Sequence, residues 1–595
     1  MTRDRSFVGL GVAVLAAVCL AVWLRSPVYA GLVAYAAVLG LFALSVNLVF
    51  GTLGYVTFGH AAFLGLGAYT AGLVTQALGL NFWWTVPIAI IPGVLLGALL
   101  GLASIRLGGA YFAIASLTVA EILRLVAANW VDLTRGPMGL VVMPSPLPGS
   151  WHKIAPQTGF LSFVLIALAL TVFVLYRLQH SPIGRAWTAI RQSLPLAESV
   201  GIPTLRYRVA NLALSGGLAG LAGALLVSKI LVLTPDLFGP VYSATGLLAV
   251  ILGGRGTLLG PLLGGAIFAV LPEWLRFLGD LRLAVFALLL LVVVRVLPGG
   301  LASLLPRAWL RREPTLPATE ASPVPAAHAP QKPSPRGELL LEVKGIAKSF
   351  RGLRALGGLD IRVHSSEVVG LIGPNGAGKS TCLNVLSGYF PPDEGEIRFL
   401  GESVVGCTSH QMAKRGLMRT FQQTTLFNDL SVTGNVLIAT HLAAPENALA
   451  AILRTRAFKA REAARLERAR EAIARVGLQS RATALASSLS YGEQRMLAIA
   501  SALAAGPRVL LMDEPAAGLN HTEATALADL IRSLRQEGMG IVIIDHNLKM
   551  IMSLCDQVVV LHHGEEIANG IPQAVGNDPV VIRAYMGGVV EPLHA

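Results

Sequence analysis

Hydrophobic positions fall into two regimes along the chain. Up to about residue 300 they form long runs with almost no polar interruption, at 7–24, 28–50, 55–80, 82–104, 109–128, 159–178, 209–232, 241–254, 257–274 and 281–297. An 18-residue run is about 27 Å long as a helix at ~1.5 Å per residue, close to the thickness of a bilayer's hydrocarbon core. The pattern predicts a polytopic all-α transmembrane domain of about 8–10 spans. The first run follows Arg3 and Arg5 and precedes Val28-Tyr29-Ala30, the outline of a secretory signal. It is longer than a usual signal core and apolar sequence resumes at once, so it reads as a first membrane helix. The runs 241–254 and 257–274 are short and split by Gly253-Gly254-Arg255-Gly256. Two thin spans or one re-entrant hairpin both fit. Its glycines suit a pathway wall or close helix packing equally.

From Leu339 the apolar runs shorten to strand length: LLLEV, VVGLIG, RVLLMDE and GIVIIDH. Such runs predict strands buried on both faces of a mostly parallel sheet, as in an α/β domain. Between the regimes, residues 306–336 contain eight prolines and no apolar period, the composition of an extended linker. The expected organisation is a transmembrane domain at 1–305, a linker at 306–336 and a soluble domain at 337–595.

Charge refines this division. Charged residues are 14% of the chain and hydrophobic residues 54%, which excludes a wholly soluble or disordered protein. Residues 1–305 hold 17 Lys/Arg but 7 Asp/Glu, so much of the net charge of +13 lies in the apolar half. That is the positive-inside bias of a membrane protein, not a nucleic-acid footprint. The segment 181–208 carries Arg185, Arg191, Arg206 and Arg208 against Glu198. It is therefore assigned to the cytoplasm; parity then puts the N-terminus and Arg106 inside and 129–158 outside. Cys19, Cys382, Cys407 and Cys555 have no C-x-x-C spacing, which argues against a disulfide framework or a zinc site.

The strongest chemical signal is GPNGAGKST: Gly373, Pro374, Asn375, Gly376, Ala377, Gly378, Lys379, Ser380 and Thr381. It follows a strand-like run and precedes a helical one, the context a phosphate-binding loop needs. Its glycines let backbone N–H groups curl around phosphate oxygens, and the helix adds its positive N-terminus. Lys379 is expected on the β/γ-phosphates and Ser380 on Mg²⁺. VLLMDE delivers Asp513 to the metal side, with Glu514 next to orient an attacking water. His546 ends IVIIDH, at the edge where parallel sheets bind ligands. The expected ligands are a nucleotide and Mg²⁺.

The order of these motifs resembles that of ABC ATPases, which implies ATP as the nucleotide and its hydrolysis as the activity. Leu489-Ser490-Tyr491-Gly492-Glu493-Gln494-Arg495 resembles their LSGGQ signature and precedes the Asp-Glu strand. The resemblance implies that Ser490, Gly492 and Gln494 reach a nucleotide bound by an opposite subunit. It also implies that Gln422, in RTFQ, is the Q-loop residue near Mg²⁺, that Phe350 stacks on adenine and that His546 is the switch histidine. Lys379, Glu514 and His546 form the implied catalytic set; Ser380, Gln422 and Asp513 form the implied metal set. Tyr491 and Glu493 depart from LSGGQ, and Ala517-Gly518-Leu519-Asn520 does not end in Asp. Both departures resemble the LivG-type ATPases of branched-chain amino acid importers.

The apolar half is similar to the matching LivM-type permeases, through FGHAAFLGLGAYTA (58–71), RLGGAYFAIASLTVAEILR (106–124), SPIGRAWTAIR (181–191) and GGRGTLLGPLLGGA (253–266). TRGPMGL (134–140) departs from the usual Gly-Gly-rich form. The resemblance makes 181–203 the segment that couples permease to ATPase. It implies an ATP-driven importer subunit in a bacterial inner membrane with its ATPase in the cytoplasm. The implied partners are a LivH-type permease, a LivF-type ATPase and an external solute-binding protein. Branched-chain amino acids are the expected substrate; urea, short amides and small carboxylates are the alternatives, and an ATP-gated channel or regulatory sensor is the rival class. Glu121 and Arg124, three apart in one span, and His60 are candidates for the transport pathway, or for an interfacial ion pair and helix-end packing.

Overall fold

The structure, a computed structural model, describes residues 27–80, 82–104, 107–142, 156–304, 337–420, 425–443 and 447–586. The run 7–24, Cys19, Arg106, the linker 306–336 and Gln422 lie outside the described residues. Two compact units divide the chain: Met1–Arg191 with Thr204–Arg312, and Gln192–Pro203 with Glu313–Ala595.

The first unit is helical. Its elements are α1 (Pro27–Asn47), α2 (Ala61–Leu78), α3 (Phe82–Ala103), α4 (Ala110–Asn129), α5 (Pro156–Gln179), α6 (Pro182–Gln192), then α8 (Thr204–Ile230), α9 (Pro240–Gly253), α10 (Leu259–Trp274) and α11 (Arg282–Val296). The intervening α7 (Leu194–Ser199) belongs to the second unit. By length and composition, seven described helices can cross a membrane, and two shorter apolar helices, Pro240–Gly253 and Ala284–Val296, accompany them.

Apolar attraction cannot distinguish lipid from a neighbouring helix, so small residues that admit a close backbone organise the packing. In α3, Gly93, Gly97 and Gly101 recur every four residues and meet α8. A Cβ on Gly93 would stand 2.2 Å from the Gly216 carbonyl oxygen, and one on Gly97 2.2 Å from that of Leu212. On the other side of α8, a Cβ on Gly223 would lie 2.0 Å from the Leu64 carbonyl oxygen in α2. The split run at 253–256 resolves in the same terms. Gly253 and Gly260 admit no side chain, and Gly264 packs on the Ala249 carbonyl, so α9 and α10 form a tight hairpin.

A π-helical turn, Leu48–Leu53, continues α1. Asn47 there accepts a hydrogen bond from Gly256 N (2.7 Å) and donates to Thr257 O (2.8 Å), pinning the glycine-rich turn. His60, fully buried before α2, has Nε2 3.1 Å from Ser45 Oγ and 3.2 Å from Ser215 Oγ. It is enclosed at a helix end, between Ser45 of α1 and Ser215 of α8. Glu121 and Arg124 form an ion pair at 2.7 Å on a partly exposed face of α4. The cations of 181–208 are not all at the surface. Arg208 is buried and donates to Ser104 O (2.9 Å) and Tyr55 Oη (3.1 Å), and Arg191 donates to Gly51 O (3.0 Å). Guanidinium groups thus satisfy carbonyls at helix ends, where the dipole favours positive charge.

The second unit is an α/β domain. Five parallel strands and one antiparallel edge strand form its main sheet, in the order β10-β9-β3-β8-β7-β6. These are β3 (Val368–Ile372), β6 (Leu417–Thr420), β7 (Val509–Asp513), β8 (Gly540–Ile544), β9 (Gln557–His562) and β10 (Glu565–Gly570). Every residue of β3, β7 and β8 is buried, as expected for strands covered on both faces. A second, antiparallel sheet orders β2 (Leu353–His364), β1 (Leu339–Phe350), β4 (Glu394–Phe399) and β5 (Glu402–Ser403). Within this unit, Gln192 Oε1 accepts from Asp429 N (3.1 Å), and Leu196 and Val200 line a pocket with Arg419 and Phe427.

Candidate nucleotide-binding site

Because β9, β3, β8, β7 and β6 are parallel, their C-terminal ends lie on one edge of the sheet. That edge carries Gly373 after β3, Glu514 after β7, His546 after β8 and His563 after β9. Parallel sheets bind ligands at this edge, and the sequence places its chemistry there for that reason.

The loop after β3 depends on glycine at two close approaches. Gly373 has φ 150°, and a Cβ there would meet the Leu561 carbonyl oxygen at 2.1 Å; Gly378 has φ 101° and faces the Ala355 carbonyl oxygen at 2.4 Å. Helix α12 (Lys379–Leu386) begins directly afterwards. Lys379 Nζ donates to Gly373 O (2.6 Å) and Pro374 O (2.8 Å), within the loop it must serve. Burial pushes its pKa down, opposed by Glu514 and Asp513.

Asp513, at the end of β7, is 2% exposed. Its Oδ2 accepts from Arg419 Nη2 at 2.9 Å, while its Oδ1 is buried with no hydrogen-bond partner among the described residues. Burial pushes this carboxyl up, and Arg419 opposes the rise. A buried, unpaired carboxylate oxygen beside a phosphate loop suits a hydrated divalent cation, so the residues present fit Mg²⁺.

Glu514 has φ 47°, a left-handed conformation unusual for a side chain of this size. Its N–H donates to Ile544 O (2.7 Å), and Asp545 Oδ2 accepts from Ala516 N (2.9 Å), so hydrogen bonds to β8 and the residue after it hold the turn. His546 Nε2 lies 3.0 Å from Glu514 Oε1. Phe350, the loop residues 375–381, Glu514 and His546 line one pocket of about 560 Å³. Phe350 is 38% exposed, with Phe390 edge-on at 5.3 Å. The structure therefore brings together the sequence-selected phosphate loop, aromatic, glutamate and histidine.

Ser490, Gly492 and Gln494 do not line this pocket. They begin α14 (Tyr491–Ala504; α13 is Arg456–Arg475). The departures from LSGGQ have local causes. Glu493 closes a capping box: it accepts from Ser490 N (2.9 Å), and Ser490 Oγ accepts from Glu493 N (3.3 Å). That backbone hydrogen bond, ahead of Arg481, holds the Glu493 carboxyl below its usual range. Tyr491 packs where a Cβ on Gly518 would be 2.8 Å away, and Arg495 donates to its hydroxyl at 2.9 Å. Asn520 in turn caps α15 (His521–Gln536), accepting from Glu523 N at 2.9 Å.

Sequence reasoning missed Arg354 and His563, which also line the pocket, and Arg419. For Arg419 the signal was present, two positions before Phe421 in RTFQ.

A phosphate loop, an Asp-Glu strand end and a histidine on one parallel edge define a P-loop ATPase domain. Residues 356–517 match the family model described as ABC transporter, and residues 28–294 match the one described as branched-chain amino acid transport system / permease component. The chain is 41% identical over 249 residues to the high-affinity branched-chain amino acid transport ATP-binding protein BraF of Pseudomonas aeruginosa, covering 42% of this chain and 98% of BraF. It is 39% identical over 249 residues to the corresponding LivG of Escherichia coli, with the same coverage. The lipopolysaccharide export ATP-binding protein LptB of Acidithiobacillus ferridurans is 34% identical over 248 residues, 42% of this chain and 97% of LptB. A nucleotide-free ATP-binding cassette structure is similar at 29% identity with TM-score 0.37, covering 42% of this chain and 98% of that one.

The chain belongs to the ABC transporter family, as a fusion of a branched-chain amino acid transport type permease with an ATP-binding cassette. It is a multi-pass membrane protein whose second domain is an ABC ATPase, which hydrolyses ATP to drive transport.

Proposed function

We propose that this chain is the fused permease and ATPase subunit of an importer that takes up branched-chain amino acids across a bacterial inner membrane. The observation that carries the reading is the 3.0 Å contact between His546 and Glu514 at the mouth of a pocket that also holds Lys379. These are the groups an active ATPase needs, so the site is read as hydrolytic and not as a degenerate gate. The identity to BraF and LivG supports the substrate class.

In this reading the glycine-rich loop and Lys379 bind the β/γ-phosphates, and Phe350 stacks on adenine. Glu514 orients the attacking water and takes its proton, while His546 holds the glutamate in place. Ser380 and Asp513, with Gln422, would hold Mg²⁺, which when bound neutralises charge on the β- and γ-oxygens. Ser490, Gly492 and Gln494 reach the nucleotide of a second, LivF-type ATPase. A LivH-type permease and an external solute-binding protein complete the assembly. The reading keeps domain limits at 305 and 337 with 306–336 as tether, and takes 181–203 as the segment that relays ATPase closure to the permease.

The test is uptake of radiolabelled leucine and urea by vesicles carrying the chain with its partner subunits, beside Glu514→Gln. Leucine uptake lost in the variant is the expected result. Urea uptake alone would replace the substrate; leucine flux that persists in the variant would overturn ATP-driven import.

A further inference from the structure

Asp513 is held by a side chain that the hydrolytic reading does not use. Arg419, 7% exposed at its side chain, donates from Nη2 to Asp513 Oδ2 at 2.9 Å. From Nη1 it donates to Asn384 Oδ1 at 2.6 Å and lies 3.3 Å from Ser387 Oγ. One guanidinium thus bridges the end of β7 and helix α12.

The register makes this bridge specific. Arg419 on β6 pairs with Leu511 on β7, and Asp513 is two residues on, so both side chains project from one face of the sheet. Asn384 is four residues after Ser380 on α12, which places the two on one helical face. Arg419 therefore fixes the spacing between the helix that carries Ser380 and the strand that carries Asp513. It occupies one carboxylate oxygen of Asp513 and leaves the buried Oδ1 without a partner among the described residues. Three features favour arginine: permanent charge, a fork that serves two partners at once, and charge-assisted bonds.

We propose that Arg419 is a positioning residue that presets the Mg²⁺ site by bridging the phosphate-loop helix to the Asp513 carboxylate. The proposal rests on the reading of Ser380 and Asp513 as the metal-side groups. Residues behind a metal's ligands set ligand orientation, and their loss typically costs about 10–100-fold in metal affinity. Arg419→Gln leaves Asp513 buried without its cation and threatens folding. Asn384→Ala removes the shorter of the two contacts at the bridge's other end, leaving Ser387 Oγ at 3.3 Å, and removes no charge.

The experiment is equilibrium binding of a fluorescent ATP analogue to the full-length chain, titrated with Mg²⁺ and repeated in EDTA. Arg419→Gln and Asn384→Ala are compared with Arg419→Lys, and Asp513→Asn serves as the control. In both bridge variants the Mg²⁺ midpoint should rise about tenfold, with binding in EDTA unchanged and Arg419→Lys intermediate. An unchanged midpoint overturns the proposal. So does a parallel loss with and without Mg²⁺, because that reports a damaged pocket. If Arg419→Gln does not fold, the Asn384→Ala titration decides. If Asp513→Asn leaves the midpoint unchanged, the metal-side reading of Asp513 fails instead.

Discussion

Glu514 shows how a single residue is shaped by what surrounds it. Its left-handed backbone costs on the order of 1 kcal/mol or more, and hydrogen bonds from its own N–H and from Ala516 N to β8 and Asp545 hold it there. Turned this way, its carboxylate meets His546 across the pocket mouth. A different residue-level consequence follows from Cys382, directly behind the phosphate loop. It is 1% exposed, and burial pushes its thiol up to about 12. A thiol reacts through its thiolate, so at pH 7–8 Cys382 stays protonated and enclosed. N-Ethylmaleimide at pH 7.5 should therefore spare Cys382 and Cys555, whose thiol is likewise pushed up to about 12. It should modify the partly exposed Cys407 and leave ATPase activity intact. Peptide mass mapping checks this; rapid adduct formation on Cys382 in active protein would contradict it.

At the scale of elements, α8 has two neighbours at backbone contact, α3 through Gly93 and Gly97 and α2 through Gly223. A Cβ on Gly216 would lie 2.1 Å from the Gly93 carbonyl oxygen, and backbone cannot yield there. Gly216→Val should lower stability by about 1–3 kcal/mol, read as an earlier melting transition of the detergent-solubilised protein by fluorescence-detected size exclusion. Gly108, with open space around it and no left-handed backbone, is the control; Gly108→Val should cost less, and equal losses would refute the packing argument. Much of this architecture was legible in the sequence, because a membrane helix and a buried strand each require an unbroken apolar run. The helices at 110–129 and 204–230 and the strands ending at 372, 513 and 544 fall where those runs predict them. The phosphate loop was legible because its glycines answer to backbone geometry. Arg354 and His563 were not, since a place in the pocket wall depends on elements distant in sequence, which leave no periodic trace. His60 was ambiguous for the same reason. A histidine beside glycines fits a pathway or a packed helix end, and its enclosure by Ser45 and Ser215 is visible only in three dimensions.

For the whole molecule, the decisive feature is which of the described motif residues face the pocket. Phosphate loop, glutamate and histidine face it, but Ser490, Gly492 and Gln494 open a different helix and line none of it. Ser490 is exposed at the N-terminus of α14, where the helix dipole favours an anion. If those groups serve a nucleotide held by another ATPase domain, two substitutions in this chain should separate cleanly. In the assembled transporter, Ser490→Arg should reduce photolabelling of the partner ATPase by an azido-ATP and leave labelling of this chain in place. Lys379→Ala should do the reverse, because the ammonium and its loop belong to this chain's own pocket. Loss of this chain's own labelling in Ser490→Arg would mean that the signature acts within one domain, and the requirement for a second ATPase would then lose its physical basis.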